Sequence, residues 1–152
     1  MSPVIKWIDL PPLWLALFLG LGWVQAHNLP VGPDGGPPTE LVGGLSVGTG
    51  ILMMLLAAME MRRARTTILP HQDPEALVTS GIFGRTRNPI YLGDTMVLAG
   101  FLLRWEAWPA LVLVPLFIWL ITDRFIAGEE RRLQHVFGRG FDDYAARVRR
   151  WI

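Results

Sequence analysis

The chain has 152 residues, of which 51% are hydrophobic and 18% are charged, and its formal net charge is +1. With seven tryptophans and a positive mean hydropathy, it is too apolar for an ordinary soluble domain. It has no cysteine, which excludes disulfides, thiolate metal sites and a cysteine nucleophile. The composition predicts an all-α integral membrane protein with one domain over residues 1–152.

Four apolar stretches approach the roughly 20 residues that a helix needs to cross a bilayer core of about 30 Å. The predicted spans are residues 10–28, 41–61, 89–103 and 107–121. Only Arg104, Trp105 and Glu106 separate the last two spans, which are short, so we expect a tight helical hairpin there. Pro and Gly are frequent in residues 28–39, which predicts an extracytoplasmic loop.

The first span has a second interpretation. Val24-Gln25-Ala26 resembles the end of a cleaved signal peptide. Against this, Lys6 is balanced by Asp9 in the preceding segment, and cleavage would remove a span. We therefore expect a retained helix.

The second span is rich in glycine. Gly44 and Gly48 are four residues apart, a spacing that predicts close packing between helices. The glycine content also leaves contacts between subunits open.

Arginines are unevenly distributed along the chain. Most of them follow the second span or the fourth, whereas residues 27–40 contain no Lys or Arg and the hairpin turn contains only Arg104. By the positive-inside rule, both termini and the middle connection face the cytoplasm.

Two polar motifs therefore share one side of the membrane. The first covers residues 77–93, contains Gly81, and ends in Arg87-Asn88-Pro89-Ile90-Tyr91-Leu92-Gly93. The second covers residues 128–149 and contains Glu129, Glu130, Leu133, Phe137, Tyr144 and Arg147. The helix of the last span is expected to continue beyond the membrane, to break at Gly138-Arg139-Gly140, and to be followed by a short amphipathic helix lying over the site.

The first motif is suited to binding an anion. Pro89 fits the first turn of the third span, so the free amides of that helix, with Arg87, would form a carboxylate site. Alternatively, Arg87 is an interfacial anchor and Tyr91 belongs to an aromatic belt. Asp94 lies one turn into the helix, where an ionisable group needs a partner or a cavity, and Arg87 or Arg124 is the expected partner.

The second motif is suited to binding a cation. Glu129 and Glu130 emerge at the end of the last span, where a carboxylate pair is costly without a positive partner. Arg132, Arg124 or the amino group of a ligand would supply that charge. His27, His71 and His135 are too scattered for a metal site, and no basic patch interleaved with aromatic residues indicates nucleic acid.

Together the two motifs resemble those of the isoprenylcysteine carboxyl methyltransferase and phospholipid methyltransferase superfamily, over about residues 66–151. The resemblance implies a multi-span helical enzyme of a bacterial inner membrane that binds S-adenosylmethionine at the cytoplasmic face. Its lipophilic acceptor would enter from the bilayer. Asn88 stands where the eukaryotic prenylcysteine enzymes usually have His, which weakens the transfer of their particular substrate.

The resemblance also implies roles for individual residues. The cofactor would be held by Gly81, Arg87, Asn88, Pro89, Tyr91, Gly93, Glu129, Glu130, Leu133, Phe137 and Tyr144. The residues with catalytic roles would be Arg87, Tyr91, Glu130 and Arg147. A carboxylate acceptor would need only an orienting arginine, whereas an amine or thiol would need a base such as Glu130, Asp94 or Tyr91.

Two other functions stay open at this point. Membrane sterol reductases resemble this superfamily in their C-terminal half, so a nicotinamide-dependent reductase is one alternative. A membrane scaffold without catalytic activity is the other. The acidic pair and Arg87 favour the methyltransferase.

Overall fold

The structure is a computed structural model that describes residues 10–66 and 75–152. Within these residues the chain forms five helices and no strands, so the predicted all-α class is confirmed for this part. The helices are α1 (Pro11–Asn28), α2 (Gly36–Arg63), α3 (Pro89–Arg104), α4 (Pro109–Phe137) and α5 (Arg139–Arg147). A short 3₁₀ helix covers Gly81–Gly84. Lys6, Asp9 and His71 lie outside the described residues.

Prolines mark where four helices begin. Proline occupies the first turn of α1, α2, α3 and α4, where the missing amide hydrogen has no partner in a helix anyway. In α2 this starts the helix at Gly36, so the prediction of a loop through Thr39 was wrong over its last four residues. Pro37 and Pro38 were interpreted as loop residues, yet both are compatible with a helix start.

Helices α2 and α3 pack most extensively against each other, and glycines allow the approach. A methyl group added at Gly93 would lie 2.6 Å from the carbonyl oxygen of Gly50, and one at Gly100 would lie 2.6 Å from that of Gly43. The predicted packing pair was wrong within this chain, because a methyl at Gly48 would meet nothing within 4 Å. The close contacts use glycines seven residues apart in α2.

The turn between α3 and α4 forms one end of the helix bundle. The Glu106 carboxylate accepts hydrogen bonds from the amides of Gly35 (3.0 Å), the N-cap residue of α2, and Gly36 (3.2 Å), its first residue. The indole of Trp108 donates to the Pro33 carbonyl at 2.8 Å. These bonds join the two connections at this end.

A core of apolar side chains lies between α1, α3 and α4. The rings of Phe18 and Phe117 meet edge to face with centroids 5.3 Å apart. Leu98, Leu102 and Ile121 are completely buried beside them. This core fixes the positions of the ends of α3 and α4 that carry the polar motifs.

Helix α4 runs without a break from Pro109 to Phe137 but changes its winding. A 3₁₀ turn and an α-helical segment are followed by a π-helical turn at Thr122–Ile126 and then by α-helix again. A π turn adds a residue to the helix, rotates the residues that follow, and is frequent at functional sites. Glu129 and Glu130 lie in the first turn after it.

Two helices have the properties of membrane spans. Within the described residues, α2 and α4 are long and apolar enough to cross a bilayer. Only 17% and 28% of their most apolar windows are buried inside the molecule, whereas the core helix of a soluble protein would be mostly buried. Their exposed apolar side chains, among them Leu41, Leu45, Leu52, Leu116 and Trp119, indicate a lipid-facing surface.

Candidate active site

A cavity of about 420 Å³ lies where the two polar motifs meet, at the opposite end of the bundle from Glu106. A volume of this size is within the range of sites for small molecules and cofactors, about 300–1,000 Å³. Both motifs contribute to its wall: Arg87, Asn88, Pro89 and Tyr91 from the first, and Glu129, Glu130, Arg132, Leu133, Phe141 and Tyr144 from the second. Asp94, which directly follows the first motif, lines it too.

The start of α3 is held in place by the C-terminal tail. The backbone amide of Arg87 donates to the Arg149 carbonyl at 3.0 Å, and the Asn88 side-chain amide donates to the Arg150 carbonyl at 3.0 Å. The Thr86 hydroxyl donates to the same carbonyl at 3.2 Å. Thr86 and Asn88 are both buried, so these bonds are shielded from water.

One carboxylate joins the two motifs. Glu130 accepts hydrogen bonds from Arg87 at 2.9 Å and from Arg150 at 2.5 and 3.1 Å. Arg132, Arg124 or the amino group of a ligand was the expected counterpart of the acidic pair, so the prediction of Arg132 or Arg124 was wrong for Glu130. The pairing with Glu130 raises the pKa of the Arg150 guanidinium.

Arg87 is left with one unsatisfied donor. One terminal nitrogen binds Glu130 and the other donates to the Ala145 carbonyl at 3.0 Å. Its Nε is buried and has no acceptor among the described residues. A buried donor without an acceptor costs about 1–3 kcal/mol, which a ligand carboxylate beside Arg87 would relieve.

The second acidic residue is held by a phenol. Tyr91 donates its hydroxyl hydrogen to Glu129 at 2.7 Å. The Tyr91 ring is itself held in the core, with its centroid 6.4 Å from that of Phe125 in the π turn. The two neighbouring glutamates therefore have different hydrogen-bond donors: two arginines for Glu130 and a neutral phenol for Glu129.

Asp94 lies on the wall of the cavity one turn beyond Tyr91 and is only 5% exposed. Its predicted ion pair with Arg87 or Arg124 is absent in the described part of the chain, where no residue forms a salt bridge or hydrogen bond with its carboxylate. Asp94 therefore presents a carboxylate group that a ligand could reach.

Part of the wall is apolar. Leu133, Phe141 and Tyr144 from α4 and α5 line the cavity together with Phe83 of the 3₁₀ helix. The Tyr144 hydroxyl donates to the Phe83 carbonyl at 2.7 Å, which attaches α5 to the first motif. Burial raises the pKa of Tyr144 to about 12, so the phenol is a neutral donor at physiological pH.

Four of the predicted site residues do not line the cavity. Gly81 lies against Glu60 and Gly93 against Gly50, so both serve packing. Phe137 ends α4. Arg147 is exposed on α5, and its Nε donates to the Asp143 carbonyl at 3.1 Å.

The structure also adds residues that the motifs did not suggest. Arg150 binds Glu130, although in the sequence it is only one of many arginines on the tail. Met54 and Met61 of α2 line the cavity together with Leu10 and Pro12 at the start of α1. The sequence does not indicate that these residues line the site, because each is an apolar residue within an apolar segment and none has a regular spacing from the motifs.

The model of one protein family, described as phospholipid methyltransferase, matches residues 39–140. The matched region includes α2 from residue 39 onward, α3, α4 and the whole of the first motif. No curated protein and no solved structure matches the chain.

Proposed function

Because this chain belongs to the phospholipid methyltransferase family, we propose that it is a membrane enzyme that transfers a methyl group from S-adenosylmethionine to a lipophilic acceptor. The observation that carries the proposal is the convergence of both polar motifs on one cavity. There a partly buried arginine, Arg87, and three carboxylates, from Asp94, Glu129 and Glu130, lie beside an apolar wall.

The donors and acceptors around the cavity suit the proposed cofactor. Arg87, with its unsatisfied Nε, would hold the carboxylate of the amino acid part. Glu129 would take the amino group or the ribose hydroxyls, since Glu130 already has hydrogen bonds on both oxygens. Leu133, Phe141 and Tyr144 would contact the adenine ring, which needs a flat apolar surface.

The cofactor, when bound, supplies a methyl group already activated by a sulfonium centre. The protein therefore has little bond activation to perform. Its residues would hold the acceptor in line with the carbon that it attacks and keep water out of the cavity. The buried network around Glu130 gives the rigidity that such alignment needs.

The nature of the acceptor decides whether a base is required. A carboxylate acceptor attacks as it is, whereas an ammonium or thiol group must first lose a proton. Asp94 and Glu129 are the carboxylates able to take that proton, because Glu130 is occupied by Arg87 and Arg150. The catalytic role that the resemblance implies for Arg147 stays a prediction; its side chain does not line the cavity.

The acceptor would reach the cavity from the lipid. Leu10, Pro12, Met54 and Met61 form an apolar part of the wall between α1 and α2, which carry exposed apolar side chains along their length. We place all of α1 to α4 in the membrane as four spans, with the cavity and both termini on the cytoplasmic side. The concentration of arginines at that end favours this orientation.

The first experiment is an isothermal calorimetric titration of the detergent-purified protein with S-adenosylhomocysteine. A parallel titration uses NADPH. We expect saturable binding of the first ligand alone. Glu129→Gln is expected to weaken binding about 10-fold or more, because a hydrogen bond to a charged group contributes about 1.5–3 kcal/mol. Glu40→Gln, an exposed residue on α2, is the matched control and should bind like the wild type.

Other results would contradict the proposal in different ways. Binding of NADPH alone would favour the reductase, and binding of neither ligand by a folded protein would favour a scaffold. Equal affinities of the Glu129→Gln and Glu40→Gln variants would refute the assignment of Glu129 while leaving the function intact.

A further inference from the structure

The C-terminal tail lies against the first motif along three consecutive residues. Backbone and side-chain donors at residues 86–88 bind the carbonyls of Arg149 and Arg150, at distances of 3.0 to 3.2 Å. Trp151, which follows, is partly buried and packs against the apolar core. The position of Arg150 is therefore set by the backbone on one side and by an anchored tryptophan on the other.

From this position Arg150 donates hydrogen bonds to Glu130 from two nitrogens. Its Nη2 donates to Oε2 at 2.5 Å and its Nε donates to Oε1 at 3.1 Å, the two-pronged geometry in which a guanidinium fixes a carboxylate in rotation as well as in place. Arg87 donates to Oε1 at 2.9 Å from another direction. Glu130 is thus bound by one arginine from the tail and one from the first motif.

The contact between Glu130 and Arg87 is partly shielded from solvent. The Glu130 side chain is 18% exposed and that of Arg87 14%, so their contact is weakly screened, while Arg150 is 40% exposed and covers them from outside. The neighbouring Arg149 is exposed, and no described residue binds its side chain. Of these two adjacent arginines, Arg150 therefore binds Glu130 through its side chain and Arg149 does not.

We propose that Arg150 is a positioning residue of this site: it orients Glu130, and Glu130 in turn orients the Arg87 guanidinium on the wall of the cavity. This inference rests on the proposed function, since it assigns Arg150 a role in the binding of the same cofactor. Without Arg150, Glu130 keeps a single charged partner and is free to rotate. Arg87 then loses the fixed acceptor that aligns it.

The test compares the affinity for S-adenosylhomocysteine of Arg150→Ala, Arg150→Lys and the matched Arg149→Ala, with thermal unfolding measured on each. We expect Arg150→Ala to weaken binding about 10-fold. Arg150→Lys should recover part of the loss, because lysine keeps the charge but not the two-pronged contact. Arg149→Ala should bind like the wild type.

A double-mutant cycle separates positioning from a general effect on folding. If Arg150 acts through Glu130, Arg150→Ala should cost much less affinity in a Glu130→Gln background than in the wild type. An equal loss in both backgrounds, or equal affinities of Arg150→Ala and Arg149→Ala, would overturn the inference alone. If Arg150→Ala does not fold, the same cycle with Arg150→Lys decides. Failure of the folded wild type to bind would overturn the proposed function and this role with it.

Discussion

The contact between α2 and α3 near the cavity makes Gly93→Ala a sensitive test of the packing. The added methyl carbon would lie 2.6 Å from the Gly50 carbonyl oxygen and 2.7 Å from a side-chain carbon of Met54. Met54 can move, but the carbonyl belongs to the backbone of a regular helix. Ordinary contact begins near 3.4 Å, so the two helices must separate locally by about 0.8 Å.

Such overpacking costs about 1–3 kcal/mol. For a protein of this size, 1 kcal/mol corresponds to about 2–4 °C in Tm, which predicts a decrease of roughly 2–12 °C. Since Tyr91 and Asp94 flank this glycine and Met54 also lines the cavity, the affinity for S-adenosylhomocysteine should fall together with the stability.

The change in Tm is measured by thermal unfolding in one detergent, with the helical circular dichroism signal as the readout. Gly48→Ala is the matched control, because a methyl at Gly48 meets nothing within 4 Å. There the substitution should stabilise the helix by about 0.5–1 kcal/mol. Equal Tm shifts for the two variants, or a more stable Gly93→Ala protein, would refute the packing argument.

Three further predictions concern the ends of the bundle. Glu106→Gln removes a charge at the start of α2 and should reduce the free energy of unfolding by about 1 kcal/mol, as measured by thermal or chemical unfolding; an unchanged value would contradict this role. The folded-state pKa of Tyr144 is raised from 10.0 to about 12, so its contribution to stability is complete below pH 10 and is lost as pH rises to 12. Tyr144→Phe removes the bond to the Phe83 carbonyl and should flatten the fall in Tm over this interval, whereas an unchanged slope would refute the assignment. Asp34→Cys and Gly84→Cys should react with a membrane-impermeant thiol reagent from opposite sides of the membrane, which is a clean measurement because the chain has no cysteine; labelling from one side would refute the four-span arrangement.

Much of the helical framework follows from the sequence because it is encoded locally. A proline in a helix interior removes a hydrogen bond and clashes with the preceding turn, so Pro89 after a polar segment marks the start of α3. A long apolar run without charge likewise indicates α2, whatever packs against it. The meeting of residues 77–93 with residues 128–149 was inferred from family resemblance and from the charge distribution, and not from either motif alone.

The hydrogen-bond partners inside the site could not be predicted from the sequence. Arg87, Arg124, Arg132 and Arg150 all carry the same charge, and nothing in their spacing says which of them meets Glu130. The answer depends on the rotation of α4 after its π turn and on the path of the tail across the start of α3.

The same division applies to the glycines of α2. The sequence by itself determined that this helix carries enough small residues for a close approach. Only the tertiary structure decided that Gly43 and Gly50 form the close contacts with α3 while Gly48 faces open space. The direction in which α3 crosses α2 selects one face of the helix. Composition and proline positions act within a few residues, whereas the choice of a partner is made by side chains brought together from distant parts of the chain.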